Sequence, residues 1–177
     1  SVIIATYNGS KTVCNSVESV MRQTYKNIEV IIIDDGSTDS TSKVLERYVN
    51  NDRVRIYQNA QNLGMSYSWN KGIAHSSGEY IAIMDDDDCS HVDRFSKQIE
   101  FMMDNPGIDV LGSGATFVDL NGNVIRDFYP PESHSQIKKA FYFSNPIIHS
   151  TVLAKVSFFK LSHGYREKLR WKSDFEL

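Results

Sequence analysis

Segments 2–5, 28–33, 54–57 and 80–84 are short, mostly apolar and carry β-branched residues, and each precedes a stretch whose apolar side chains return at helical spacing. Val13, Val17, Val20 and Met21 mark the first such stretch, with Ser10 as the expected N-cap. Val44, Leu45 and Tyr48 mark the second, residues 65–75 the third, and Phe95, Ile99 and Met102 the fourth. Strands and helices that alternate in this way fold as a Rossmann-like, mostly parallel sheet flanked by helices, so the predicted class is α/β. From Val110 the grammar changes. Segments 110–117 and 124–126 flank Asn121-Gly122, the strongest short hairpin signal, and predict a small antiparallel element in the C-terminal half. A short helix is expected over 133–143, after the break at Pro130-Pro131, and the mixed polar and apolar run 145–152 suits the wall of a cavity.

Open α/β sheets bind ligands outside the carboxyl ends of their strands. Here those ends carry Thr6, Tyr7 and Asn8, then Asp34 and Asp35, then Asp85, Asp86, Asp87 and Asp88. Adjacent unit charges about 4 Å apart repel by roughly 4 kcal/mol at an effective dielectric near 20. A row of carboxylates at the mouth of an apolar strand therefore suits a cation held in place; a solvated acidic turn leading into the next helix is the plainer reading. Asp34 and Asp35 before Gly36 admit a similar pair of readings, a ligand site or a turn at a helix N-terminus, and Asp34 is read as structural.

Familiar phosphate cradles are missing. Gly9-Ser10-Lys11-Thr12 has the wrong order for a P-loop and lacks its upstream glycine. Gly112-Ser113-Gly114 lacks the third glycine of a dinucleotide fingerprint and suits close backbone packing instead. A sheet of this kind that binds a nucleotide must neutralise the diphosphate otherwise. Mg²⁺ or Mn²⁺ held by carboxylates does this, because both prefer oxygen ligands and bridge phosphates.

At 177 residues the chain suits one domain, or one and part of another. A net charge of −3 with scattered basic residues speaks against nucleic acid or an anionic membrane as the main partner. Cys14 and Cys89 form no metal motif and no disulfide framework, which makes a reducing, cytoplasmic setting the expectation. No apolar run reaches transmembrane length and no signal-peptide core is present. The chain opens directly in a strand without Met and stops inside a charged stretch, so a fragment of a longer protein is expected.

Residues 2–8, Gln23-Thr24-Tyr25 and 30–39 resemble the opening of glycosyltransferase family 2 enzymes. Asn62-Leu63-Gly64, Asn70-Lys71-Gly72-Ile73 and Gly78-Glu79-Tyr80-Ile81 continue the likeness, and the aspartate row sits where that family carries its DxD motif. Residues 145–152, Gly164-Tyr165-Arg166-Glu167 and Ser173-Asp174 resemble its acceptor-side elements. The resemblance implies a single GT-A catalytic domain over 1–177, with a nucleotide-sugar-binding half at 1–105 and an acceptor-side half at 106–177. It implies a metal-dependent, inverting transfer from a nucleotide-diphosphate sugar, most simply a UDP-sugar, to a saccharide or lipid-linked hydroxyl in polysaccharide or glycolipid synthesis. Thr6, Tyr7 and Asn8 would line the nucleoside pocket, Asp35 would accept from the base, and Asn62, Gly64 and Asn70 would add donor contacts. Asp85 or Asp86 would meet the ribose or a metal-bound water. Asp87 would ligate Mn²⁺ or Mg²⁺, with Asp85 the other candidate ligand. His149 would line the diphosphate pocket and Asp174 would be the general base, with Trp171 either core or an acceptor-stacking ring. Peripheral association with the inner membrane face, through segments beyond this chain, belongs to the same expectation. Departures are Ala5 for a usual proline, Ser68-Trp69 for a frequent Ala-Arg, and Val92 for another proline. A nucleotide-sugar-binding module without catalysis and a sugar-phosphate nucleotidyltransferase are the rival readings.

Overall fold

The computed structural model describes residues 1–167. At its centre is β1 (Val2–Thr6), every residue of which is buried. Helix α1 (Val13–Met21) leads to β2 (Val30–Asp34), and α2 (Thr41–Leu45) runs into a 3₁₀ turn, Glu46–Tyr48. Then follow β3 (Val54–Gln58), α3 (Met65–His75), β4 (Tyr80–Asp85) and α4 (Arg94–Asp104). The second part contributes β5 (Val110–Leu111), the hairpin β6 (Ala115–Val118) and β7 (Val124–Phe128), α5 (His134–Ala140), a 3₁₀ turn His149–Thr151, β8 (Leu153–Lys155) and α6 (Val156–Ser162).

Six strands form one sheet in the order β3-β2-β1-β4-β8-β5. The first four are parallel, while β8 lies antiparallel to both β4 and β5. Side chains alternate across a strand, so β1 feeds two apolar layers. Val2 and Ile4 pack with Val13, Val17 and Val20 of α1 and with Phe95 and Met102 of α4. Ile3 and Ala5 pack on the other face with Trp69 of α3, Val152, Phe159 of α6 and Tyr165. Register is what positions the site. Thr6 pairs with Asp34, Asp34 with Gln58, and Ala5 with Asp85, so the polar strand ends line up along one edge.

Several boundaries differ from the sequence expectation. Ser10 does not cap α1: residues 9–12 form turns in which Gly9 O accepts from the Thr12 and Val13 amides, and the Ser10 amide instead donates to Asp39. Segment 110–117 is two strands rather than one. Gly112, Ser113 and Gly114 break it, and Gly114 lies so near Phe128 O that a Cβ would sit 2.9 Å from that oxygen. The first piece joins the main sheet and the second forms the hairpin. Helix α5 is shorter than expected and opens on a capping box between Ser133 and Gln136.

Candidate functional site

Chain direction brings the carboxylates of β4 against the turn after β1. The Thr6 hydroxyl donates to Asp86 Oδ2, and Gly9 packs so closely that a Cβ there would lie 2.1 Å from the same oxygen. Asp85 faces the other way, toward the turn before β8. Ser150 donates to its Oδ2 at 2.6 Å, and His149 Nδ1 lies 4.0 Å from its Oδ1. Beneath them Arg94 donates to Ser90 Oγ at 3.0 Å, Gln98 Oε1 at 3.1 Å and Val152 O at 3.2 Å, while Gln98 donates to Thr151 O at 2.8 Å. Helix α4 thus holds both the aspartate loop and the His149–Thr151 turn. Asp87 is exposed at the tip.

These carboxylates do not titrate alike. Burial pushes Asp85 up, but the His149 ring 4.0 Å away, the Ser150 hydrogen bond and the charge of Arg94 outweigh it and leave Asp85 below its ordinary value. Asp86 is raised, by burial first and then by the charges of Asp87 and Asp85, against the Thr6 hydrogen bond. Asp88 is raised in the same way, with Ser150 opposing. Burial lowers Arg94 to about 10, although Asp88 and Asp85 pull it upward. The mutual repulsion that raises Asp86 and Asp88 is one that a divalent cation would relieve.

Among the described residues no three His, Cys, Asp or Glu side chains converge as a complete metal cage. A Mg²⁺- or Mn²⁺-type site needs no such cage, since one or two carboxylates share the ion with substrate phosphates. Of the four aspartates, Asp87 is exposed and Asp85 half-buried, and these are the two that could take part in such a site.

At the mouth of β2, Asp34 is structural: it accepts from the Ser37 amide, Ser42 Oγ and Gln58. Asp35 is fully buried and accepts from Asn59 at 2.7 Å and from the Leu63 and Gly64 amides at 3.0 and 2.8 Å. It pins the loop at 62–64 to the sheet. Asn8 has left-handed backbone, φ 56°, and its Oδ1 accepts from the amides of Thr38 and Asp39, clasping the β1 and β2 loops together. Tyr7 stands 42% exposed beside them, and Asn62 is also exposed.

Asn70 belongs elsewhere. Its side chain donates to Tyr165 O and accepts from Tyr165 N, both at 2.8 Å, as a strand neighbour would. Tyr165 OH lies 2.9 Å from His149 Nε2, and Trp69 tilts against both rings at centroid distances of 4.3 and 5.1 Å. Trp69, at the departure from Ala-Arg, is thus a core residue under this triad. Trp69 Nε1 and His149 Nδ1 are buried and have no hydrogen-bond partner among the described residues.

The structure therefore gathers Thr6, Asp85, Asp86 and His149 around one edge, with Asn8, Asp35 and Gly64 in the adjoining loops and Asn70 behind Tyr165. Asp174 and Trp171 lie outside the described residues. Arg94 and Gln98 have no counterpart in the sequence reading, whereas Ser150, in the cavity-wall run 145–152, and Tyr165, in Gly164-Tyr165-Arg166-Glu167, lie in segments it singles out without giving either a role of its own.

The family model Glycosyl transferase family 2 matches residues 1–159. An uncharacterized glycosyltransferase of Methanocaldococcus jannaschii is 34% identical over 99% of this chain, which spans 62% of that relative's length. TarS of S. aureus, solved with UDP-GlcNAc, shares the fold at a TM-score of 0.80 and 23% identity, over 99% of this chain and 51% of TarS. A mannosyltransferase from Pyrobaculum calidifontis, solved with GDP-Man and Mn²⁺, does so at 0.73 and 16% identity, over 99% of this chain and 49% of its own.

Proposed function

The chain belongs to glycosyltransferase family 2, and we propose that it carries out metal-dependent, inverting transfer of a sugar from a nucleotide-diphosphate sugar, most simply a UDP-sugar, to a hydroxyl of a saccharide or lipid-linked acceptor. The observation that carries this reading is the aligned strand edge, where Thr6 holds Asp86 and Ser150 holds Asp85, leaving Asp87 exposed above them. Complexes of TarS with UDP-GlcNAc and of the Pyrobaculum enzyme with GDP-Man and Mn²⁺ support a nucleotide sugar as donor.

In this reading Asp87 and Asp85 hold the divalent cation, and Asp86 meets the ribose or a metal-bound water. Bound there, Mn²⁺ or Mg²⁺ supplies Lewis-acid stabilisation of charge on the departing diphosphate. Thr6, Tyr7 and Asn8 form one wall of the nucleoside pocket, and the loop of Asn62 and Gly64, pinned by Asp35, forms another. A direct hydrogen bond from the base to Asp35 requires that second wall to open, because the carboxylate is fully buried. Asn70 and His149 act on the donor pocket from behind, Asn70 by holding Tyr165 and His149 by backing Asp85. Asp174 takes the acceptor proton from the face opposite the leaving group, which imposes inversion. The donor side is assigned to 1–105 and the acceptor side to 106–177. No helix among the described residues is long and apolar enough to cross a membrane.

A thermal-shift panel of UDP, GDP, CDP and dTDP, each with and without Mn²⁺, tests the donor assignment. UDP at 100 times its dissociation constant adds about 2.7 kcal/mol of stability, and the gain requires Mn²⁺. A panel in which no nucleotide shifts the transition would remove the proposal. Asp174→Asn then keeps UDP binding and loses both transfer and donor hydrolysis; retained hydrolysis would remove Asp174 from the chemistry.

A further inference from the structure

We propose that Tyr165 and His149 are positioning residues that tie the segment 163–167 to Asp85, so that the acceptor-side chain and the donor-side carboxylates become ordered together. This deepens the donor reading above and rests on it.

Two features separate this link from ordinary aromatic packing. First, its polar atoms line up toward Asp85. Tyr165 OH meets His149 Nε2 at 2.9 Å, and with the hydroxyl donating there, the ring proton resides on Nδ1. That Nδ1 is buried, has no hydrogen-bond partner among the described residues, and faces Asp85 Oδ1 at 4.0 Å. The separation is too long for a direct hydrogen bond, so a small movement of the aspartate loop toward His149 would complete the chain. Second, both ends are fixed. Asn70 holds the Tyr165 backbone with two bonds, Gly164 takes φ 72° beneath the Asn70 amide, and the Gly164 amide donates to Phe159 O. At the other end Ser150 grips Asp85. Packing alone would be served by phenylalanine at 165.

Hydrogen–deuterium exchange on the whole chain, with and without saturating UDP and Mn²⁺, tests the link through Tyr165→Phe and His149→Gln. In the wild type, ligand slows exchange at 163–167 by about fivefold, the lower end of coupling between linked sites. In Tyr165→Phe the same ligand binds with near wild-type affinity by calorimetry, yet the added protection at 163–167 is lost; His149→Gln loses that added protection as well. A purely structural tyrosine would speed exchange equally with and without ligand, and that result would overturn the link. So would wild-type binding that leaves 163–167 unchanged. Absence of any UDP binding to the wild type would instead remove the donor reading, and the link with it.

Discussion

A methyl group on Gly9 would lie 2.1 Å from Asp86 Oδ2 and 2.3 Å from Thr6 Oγ1, so a side chain there fits only if one of these groups moves aside. Gly9→Ala must push Asp86 away from Thr6 or displace the turn itself. Its expected effect is an affinity for UDP with Mn²⁺ weakened about tenfold, or 1.4 kcal/mol, read by calorimetry, with an overpacking cost of about 1–3 kcal/mol in urea unfolding. Unchanged affinity would separate Gly9 and Asp86 from the donor pocket. That Thr6, Asp85 and Asp86 share one edge was legible in the sequence because each directly follows an apolar strand and parallel strands end on the same side of the sheet. Trp69 and Tyr165 were not. Their roles depend on α3 and the 163–167 segment meeting across 95 positions of chain, which no local pattern records.

At the level of elements, β1 is held on both sides and on both faces, and the site inherits its rigidity. Ile3, Ile4, Ile31, Ile32 and Ile33 are completely buried. Ile32→Ala is expected to cost about 2–5 kcal/mol, measured by urea denaturation, and to move the midpoint without altering the slope. A loss below about 1 kcal/mol would be atypical of a filled core and would contradict the packing described. The four parallel strands were readable because β-branched runs and helical stripes alternate with polar turns between them. Segment 110–117 was not readable as two strands. Its β-propensity is continuous apart from two glycines, and only the approach of Phe128 O to Gly114 shows where the chain turns out of the sheet. The end of α1 nearest the site was misjudged for a similar reason. A serine at 10 suits a cap, but the turn closed by Gly9 O delays the helix to Val13.

For the whole molecule, the strand edge proposed to bind donor has a counterpart at the other end of the sheet. There Glu29 accepts from Ser1 Oγ and from the Ser77 amide and hydroxyl, and pairs with Arg55. Burial pushes Glu29 up, but the Ser1 and Ser77 hydrogen bonds and the Arg55 charge bring it from 4.5 down to about 2. A depressed carboxylate contributes stability above its unfolded value, and that stability drains as pH falls from about 4.5 toward 2. Because Arg55 is partly exposed, the contribution is about 1 kcal/mol after screening. Glu29→Gln is therefore less stable than the wild type at pH 7, with the gap closing toward pH 2; a constant gap would contradict the assignment. Neither edge explains the other, and the donor edge carries the account. Calorimetric titration of UDP in Mn²⁺ into the wild type and into Asp87→Ala tests it most directly. The account predicts Mn²⁺-dependent binding that Asp87→Ala reduces to the weak level seen without metal, whereas equal Mn²⁺-dependent binding by both proteins would contradict it.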